Sequence, residues 1–401
     1  MPDDAAAAEL LRQHLIDPEI CIRCNTCEAT CPVGAITHDD ANYVVDAQKC
    51  NACLDCISPC PTGSIDNWRL VRSAYSVDEQ FGWSELPSQE ALEGAASATP
   101  DATEDEIEKI LAQAHAGVGG KAVAPPSASS PHVNLFRRDR PVLAIVQGNF
   151  RITAASAESD IRHIVLGFGE TMFPVLEGQS IGVLPPGVRP DGKPHDIRLY
   201  SVASSRDGEK RNANNVGLTI KRVPGGVASN YMCDLKVGDR VQVAGPYGAT
   251  FLMPNDTQAN VIMICTGTGS APFRAFTERR RRAAPDAPGR FLLFFGARTP
   301  QELPYFGPLQ KVPESLLEKH LVFSRVPGGE REYVQDRIRQ QASMIAPLLE
   351  SPKTHIFICG LKGMETGVDE ALADVCRKHG LDWASLKPQM RTGGRFHVET
   401  Y

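Results

Sequence analysis

Between residues 140 and 256 the apolar positions fall in short runs separated by turn residues: Val142–Val146, Ile161–Phe168, Ser180–Leu184, Arg198–Ala203, Val216–Val223 and Arg240–Ala244. Runs of this length with no long helical period predict an antiparallel β-barrel. From residue 257 the pattern changes. Val261–Cys265, Phe291–Phe295, Leu321–Ser324 and His355–Cys359 are continuous apolar strands alternating with helical stretches, which predicts a doubly wound parallel α/β sheet. Upstream, residues 76–139 are dominated by Ala, Ser, Pro, Glu and Gly, and Gly117–Pro131 reads as a flexible tether. Within that linker Asp101–His115 predicts a helix, with Thr103 and Glu106 as a capping box and Ile107, Ile110, Leu111 and Ala114 as an apolar stripe. It either docks on a neighbouring domain or stiffens the linker. The expected division is therefore a cysteine-rich module over 1–75, a linker over 76–139, a barrel over 140–256 and an α/β domain over 257–401.

Length and charge narrow the classes. A chain of 401 residues exceeds one ordinary core and fits several domains. Its net charge of −6 argues against nucleic acid or an anionic membrane surface as the main partner. The longest apolar runs are strand-sized, far below the ~20 residues of a membrane helix, and the N-terminus is acidic where a secretory signal starts basic. The expectation is a soluble cytoplasmic protein.

Eight of the twelve cysteines lie between Cys21 and Cys60. Cys21, Cys24, Cys27 and Cys31 read C-x2-C-x2-C-x3-C before Pro32, and Cys50, Cys53, Cys56 and Cys60 repeat that spacing before Pro61. A zinc site draws its four ligands as two pairs, whereas each run here offers four in a row, twice. Three thiolates on a tight loop wrap one corner of a four-iron cube and the fourth is carried to the other cluster. This assigns one cluster to Cys21, Cys24, Cys27 and Cys60 and the other to Cys50, Cys53, Cys56 and Cys31. Over residues 15–70 the sequence resembles the bacterial two-cluster ferredoxins, which implies one-electron transfer.

The predicted barrel holds Arg198-Leu199-Tyr200-Ser201, where Arg198 and Tyr200 share a strand face: the arginine suits a pyrophosphate, the tyrosine an isoalloxazine ring, and Ser201 the flavin N5 edge. Gly225-Gly-Val-Ala-Ser229 then opens a helix whose N–H groups suit phosphate. In this order the motifs resemble the plant-type ferredoxin–NADP reductase superfamily. That resemblance implies FAD held by Arg198, Leu199, Tyr200, Ser201, Thr219, Ile220, Lys221, Val227, Ala228, Ser229, Thr268 and Tyr401.

In the α/β domain, Thr266-Gly-Thr-Gly-Ser-Ala-Pro-Phe-Arg274 follows the first strand, with Gly267 and Gly269 giving close approach to a pyrophosphate. Ser324-Arg325 and the segment Arg331-Glu-Tyr333 match the family's 2′-phosphate motifs, with Arg331 where the family has lysine; the geometry of arginine favours phosphate. The resemblance implies NADPH held by Gly267, Gly269, Ala297, Arg298, Ser324, Arg325, Arg331, Tyr333, Gly360 and Leu361. It also implies a reacting site of Ser201, Cys359, Glu399 and Tyr401, the C-terminal tyrosine stacking on the flavin. Cys233, Cys265 and Cys376 read as structural. The run Arg279–Arg282 reads as a solvated helix face, with docking of an acidic partner as the alternative.

In series these parts give NADPH → FAD → two [4Fe-4S] clusters → an outside acceptor. A two-cluster ferredoxin, a long linker and an NADP reductase in this order, together with Arg12-Gln-His-Leu-Ile-Asp-Pro-Glu-Ile-Cys-Ile-Arg-Cys-Asn-Thr-Cys27, resemble the reductase components of benzoyl-CoA epoxidase systems. That implies a di-iron benzoyl-CoA epoxidase of aerobic benzoate degradation as partner. A general ferredoxin–NADP(+) reductase with a fused ferredoxin is the alternative, and a non-catalytic redox scaffold or sensor a third reading. Whether the chain forms a homodimer stays open.

Overall fold

The computed structural model describes residues 11–19, 21–51, 53, 55–57, 60, 62, 64, 65, 67–71, 73–87, 102–115 and 123–401. It divides into two compact units, residues 1–101 and 102–401.

In the first unit, β1 (Leu11–Leu15) pairs antiparallel with β4 (Asn67–Val71), and β2 (Ile36–His38) with β3 (Tyr43–Val45). The short helices α1 (Thr26–Thr30) and α2 (Val77–Phe81) complete it. Ser76 and Glu79 form a reciprocal capping box at the start of α2. Ile16, Ile36, Tyr43, Val45, Ile57 and Ile65 form a small core into which the cysteine sulfurs pack. A core this small is a weak source of stability for so short a unit.

The second unit begins with α3 (Ala102–His115). The helix starts at Ala102, so Thr103 lies in its first turn, while the predicted start Asp101 falls outside the described residues. Ile107 is buried against Ile197, Ala244 and Tyr247, with Leu111 beside it. The helix is therefore docked. The second half of the predicted tether is also bound: Ser129 Oγ accepts from Arg206 and Asn255 at 2.9 Å each, and Asn255 N donates to Ser127 O. Its first half, 117–122, lies outside the described residues.

Six strands follow, β5 (Val142–Arg151), β6 (Ile161–Gly167), β7 (Ser180–Leu184), β8 (Arg198–Ser201), β9 (Asn215–Lys221) and β10 (Arg240–Tyr247), with α4 (Val227–Asp234) after β9. They pair antiparallel in the order β8-β7-β10-β5-β6-β9, and a Val202–Leu218 bridge joins the two ends into a barrel. Alternate residues of β5 point inward, Val142, Ala144 and Val146, to meet Ile164, Ile181, Leu218 and Val243. Cys233 packs in this core.

The rest is a five-stranded parallel sheet of order β13-β12-β11-β14-β15. Its elements are β11 (Asn260–Thr266), α5 (Ala271–Ala283), β12 (Phe291–Ala297), α6 (Phe306–Gln310), β13 (Glu318–Phe323), α7 (Val334–Gln340), α8 (Ala342–Glu350), β14 (Thr354–Gly360), α9 (Met364–Lys378), α10 (Trp383–Thr392) and β15 (Phe396–Thr400). Both faces are covered, which is why the strands read as unbroken apolar runs. Ile262, Phe294 and Ile358 face α7–α10, and Val261, Met263 and Phe295 face Phe273 and Phe276 of α5. Cys265 packs on the second face and Cys376 on the first. Strand β15 was not among the predicted strands; residues 396–401 read only as a terminal motif.

The solvated reading of Arg279–Arg282 does not hold. Arg280 is buried, donates to the carbonyls of Ala287 and Gly289, and lies 4.9 Å over the Phe291 ring. Arg282 reaches the barrel loop 205–209, donating to Asp207 Oδ1 at 2.9 Å, Gly208 O at 2.8 Å and Glu209 O at 2.7 Å. Only Arg281 is well exposed, paired with Glu278 on its own helix. Arg282→Ala removes the ion pair to Asp207, which keeps only the Ser205 hydroxyl, and leaves two carbonyls without that donor, so it should cost about 2 kcal/mol, while Arg281→Ala should cost under about 0.5 kcal/mol. Thermal unfolding should show Arg282→Ala melting several degrees lower; equal melting of the two variants contradicts the clamp.

Candidate functional site

The eight cysteines separate into two groups. Cys21, Cys24, Cys27 and Cys60 line one small cavity with Tyr43, Thr62 and Ser64. Burial pushes the Cys27 thiol up to about 11, and the neighbouring Cys60 and Cys21 add to it. Burial raises Cys56 still further, and its sulfur neighbours, in falling order of effect, are Cys50, Cys53, Cys31 and Cys27. The fourth cysteine of each run therefore lies with the first three of the other. Among the described residues no three ligating side chains converge on a point one ion could fill. They frame cages. Thiols held this far above their ordinary range ionise only against added positive charge, and iron supplies it, so the donor set fits a cluster.

In the second unit the crevice lies where the sheet order reverses, between the C-terminal ends of β11 and β14. Pairing of β15 with β14 sets Glu399 directly beside Cys359, and β11 sets Cys265 on the other side of Cys359. Ser201 Oγ, at the end of barrel strand β8, donates to Glu399 Oε1 at 3.2 Å. Cys359 is fully buried, and burial, with Glu399 and Cys265 near it, holds its thiol well above the ordinary range. It is a protonated, uncharged wall. Tyr401 closes the group: its N–H donates to Gly360 O at 3.1 Å, its hydroxyl meets Thr268 Oγ1 at 2.6 Å, and the residue as a whole is half exposed. The four residues of the predicted reacting site thus come together from two sheets.

A cavity of about 400 Å³ adjoins them, lined among others by Lys221, Gly267, Ala297, Arg298, Ser324 and Tyr333, with Leu361 and Tyr401 at one end. Its two carboxylates are already satisfied. Glu302 accepts from the N–H groups of Glu158 and Ser159, and Glu332 holds Arg337 through two bonds. Of its cations, Arg298 is bonded to Glu158 Oε2 at 3.0 Å, and Lys221 and Lys362 complete the positive lining that an anionic nucleotide requires. Arg325 and Arg331 are exposed and outside this lining, though Arg325 N donates to Arg298 O at 2.7 Å and so holds the loop beside it.

The other predicted residues serve in different ways. Gly267 adopts φ +55, the left-handed region. Gly269 gives close approach, but to the protein: a Cβ there would lie 2.1 Å from Cys359 O. Gly360 likewise leaves room for Thr266 Oγ1. Arg198 is exposed, and Tyr200 packs on the barrel core, where burial raises its phenol. Leu199 packs toward α3. Ile220 and Ala228 are buried apolar residues, so a ligand meets only their backbone. Val227 is half exposed and the first turn of α4 has no side-chain cap. Ser229 Oγ accepts from Val223 N at 3.2 Å and keeps its own proton to give. An uncapped helix start, an open guanidinium and a half-exposed tyrosine ring fit the pyrophosphate and ring of FAD.

One buried polar chain was not anticipated. Thr219 Oγ1 meets Tyr305 OH at 2.6 Å, His163 Nδ1 meets the same hydroxyl at 2.8 Å, and His163 Nε2 lies 3.0 Å from Glu209 Oε1. Glu209 takes Arg274 of α5 through two 2.8 Å bonds. Burial alone would raise the Glu209 carboxyl; His163 and Arg274 overcome it and bring it down to about 2. The available signal was Gly217, an isolated glycine in a strand: a Cβ there would lie 2.1 Å from Glu209 Oε1.

Comparison with known proteins agrees with this arrangement. Residues 13–63 match the 4Fe-4S dicluster domain, 175–251 the oxidoreductase FAD-binding domain and 263–370 the oxidoreductase NAD-binding domain. The chain is 38% identical to the cyanelle ferredoxin–NADP reductase of Cyanophora paradoxa over 287 residues, 67% of this chain and 79% of that one. It is 38% identical to the chloroplastic leaf isozyme 1 ferredoxin–NADP reductase of Oryza sativa subsp. indica over 286 residues, again 67% and 79%. Among solved structures, the ferredoxin–NADP+ reductase from Plasmodium falciparum covers 67% of this chain and 99% of its own, with a TM-score of 0.54 at 24% identity. At that identity the likeness concerns the fold.

Because Glu399 accepts the Ser201 hydroxyl, Glu399→Ala should slow flavin reduction by NADPH about tenfold or more. Stopped-flow absorbance reads this directly, and an unchanged rate would remove Glu399 from the reacting site.

Proposed function

The chain belongs to the ferredoxin–NADP reductase family, and on that premise we propose that it draws electrons from NADPH and passes them through FAD and its own two [4Fe-4S] clusters to a partner oxygenase, a di-iron benzoyl-CoA epoxidase. It is an oxidoreductase with FAD-binding, NAD(P)-binding and 4Fe-4S dicluster domains. The observation that carries the reading is the convergence of Ser201, Cys359, Glu399 and the Tyr401–Thr268 pair beside the nucleotide cavity.

When bound, FAD would supply two-electron hydride chemistry and each cluster one-electron transfer. The residues then divide the work. Ser201 and Glu399 hold the proton and hydrogen bonds at the flavin N5 edge. Cys359, uncharged and buried, shapes the approach of the nicotinamide and keeps water out. Tyr401, half exposed, would cover the ring and give way as the nicotinamide arrives. Arg325 and Arg331 take the 2′-phosphate, and Cys21, Cys24, Cys27, Cys60 with Cys50, Cys53, Cys56, Cys31 hold the two clusters.

The charge distribution supports hand-over between the units. Residues 1–101 carry 17 acidic and 5 basic side chains, and residues 102–401 carry 31 and 37, so the net charges of the two units are opposite in sign. The choice of epoxidase rests on the order of modules and the stretch Arg12–Cys27. No helix among the described residues is long and apolar enough to cross a membrane.

Anaerobic titration of the iron-reconstituted, FAD-loaded chain with NADPH should bleach the flavin and then give the EPR signals of reduced clusters. Clusters that stay oxidised while the flavin is reduced contradict the proposed direction. Replacing Arg325 and Arg331 by neutral residues should raise KM for NADPH about tenfold or more and spare NADH. Equal effects on the two nucleotides rule out the 2′-phosphate assignment.

A further inference from the structure

The two halves of the cysteine repeat differ where they touch sulfur. Laying Cys21–Ile36 on Cys50–Ile65 sets Thr26 against Asp55, Val33 against Thr62 and Ala35 against Ser64. Thr26 Oγ1 donates to Cys24 Sγ at 3.1 Å. The hydroxyls of Ser64 and Thr62 lie 3.4 and 3.8 Å from Cys60 Sγ, the first within hydrogen-bonding reach of sulfur and the second at its margin. Cys31, the counterpart of Cys60, accepts the backbone N–H of Ala35 at 3.2 Å, and its neighbours Val33 and Ala35 carry no hydroxyl. Where the first run has the Thr26 hydroxyl, the second has the Asp55 carboxylate, one residue before the ligand Cys56 and two after Cys53.

The exchange of fourth ligands makes these differences add. Cys24 and Cys60 belong to the same cage, so Thr26 from the first run and Ser64 and Thr62 from the second act on one cluster. Asp55 acts on the other. Hydrogen bonds to ligand sulfur favour the extra electron of a reduced cluster, and a nearby negative charge opposes it.

We infer that the two clusters are inequivalent: the one held by Cys21, Cys24, Cys27 and Cys60 has the higher potential and keeps the electron, and the one held by Cys50, Cys53, Cys56 and Cys31 has the lower potential and relays it. This rests on the ligand sets proposed above. Each cluster gains one electron with no bond made or broken, and the electron comes from NADPH by way of the flavin. An electron that enters at either cluster settles on the first, so a partner drawing from it meets a filled store.

The test is a redox titration of the full reconstituted chain with dithionite and mediators, followed by low-temperature EPR. Two one-electron steps are expected. Thr26→Val and Ser64→Ala, from different runs, should each lower the same upper step and leave the lower one in place. Asp55→Asn should raise the lower step alone. A single step of equal clusters, hydroxyl variants that move the lower step, or Asp55→Asn moving the upper one overturns the inference. Iron analysis keeps the premise separate: about eight irons per chain, in parent and variants alike, are required by two four-iron clusters. Fewer in the parent overturns the ligand sets and the inference with them.

Discussion

The pairing of the last strand, β15, with β14 is the contact on which the site of the second unit depends. Parallel strands in register place Glu399 beside Cys359 and Thr400 beside Gly360, and the following residue then has one place to go: its N–H bonds Gly360 O and its hydroxyl reaches Thr268. Gly269 lets the Gly267–Ser270 turn press on the Cys359 carbonyl so closely that no Cβ fits. Nothing in this arrangement is local. The site is assembled from the ends of three parallel strands and one barrel strand, the placement that open α/β sheets give their ligand crevices.

The barrel and the sheet must then be held in one relation, since Ser201 comes from the first and Glu399 from the second. Two polar systems do this. Arg282 reaches from α5 to the loop 205–209, and the chain Thr219–Tyr305–His163–Glu209–Arg274 crosses the same boundary. Glu302 adds a third tie, accepting from the N–H groups at 158 and 159. Buried ion pairs contribute little net stability but lose several kcal/mol when one partner is removed, so they fix geometry more than they strengthen the fold. A nucleotide cavity bounded by both domains needs that fixed geometry.

The cysteine module obeys a different constraint. Its apolar core is small, and its buried thiols are costly to ionise. Ligand bonds then supply both cohesion and charge balance. On the proposed ligand sets, the exchange of fourth ligands lets residues of both halves act on one cluster.

How much of this was legible in the chain follows from the range of each interaction. The grouping of the cysteines, the strands β5–β14, and α3 were readable because spacing and apolar period are local properties; Ser180–Leu184 has the observed bounds of β7. Motif order along the chain indicated Ser201, Cys359, Glu399 and Tyr401 one by one. Their meeting depended on β15, whose residues read only as a terminal motif and not as a strand. His163, Glu209 and Tyr305 gave no motif, since their contacts span 46 to 142 positions of sequence, and Gly217 becomes informative only once Glu209 is seen to fill the space beside it. The arginine run looked like solvent-facing charge because composition cannot tell a cation bonded to buried carbonyls from one bonded to water. Sequence alone determined the cofactor-bearing modules, because their ligands lie close together along the chain. Only the tertiary structure decided which charged groups became internal struts and where the reacting residues meet, because those contacts join segments that nothing local holds together.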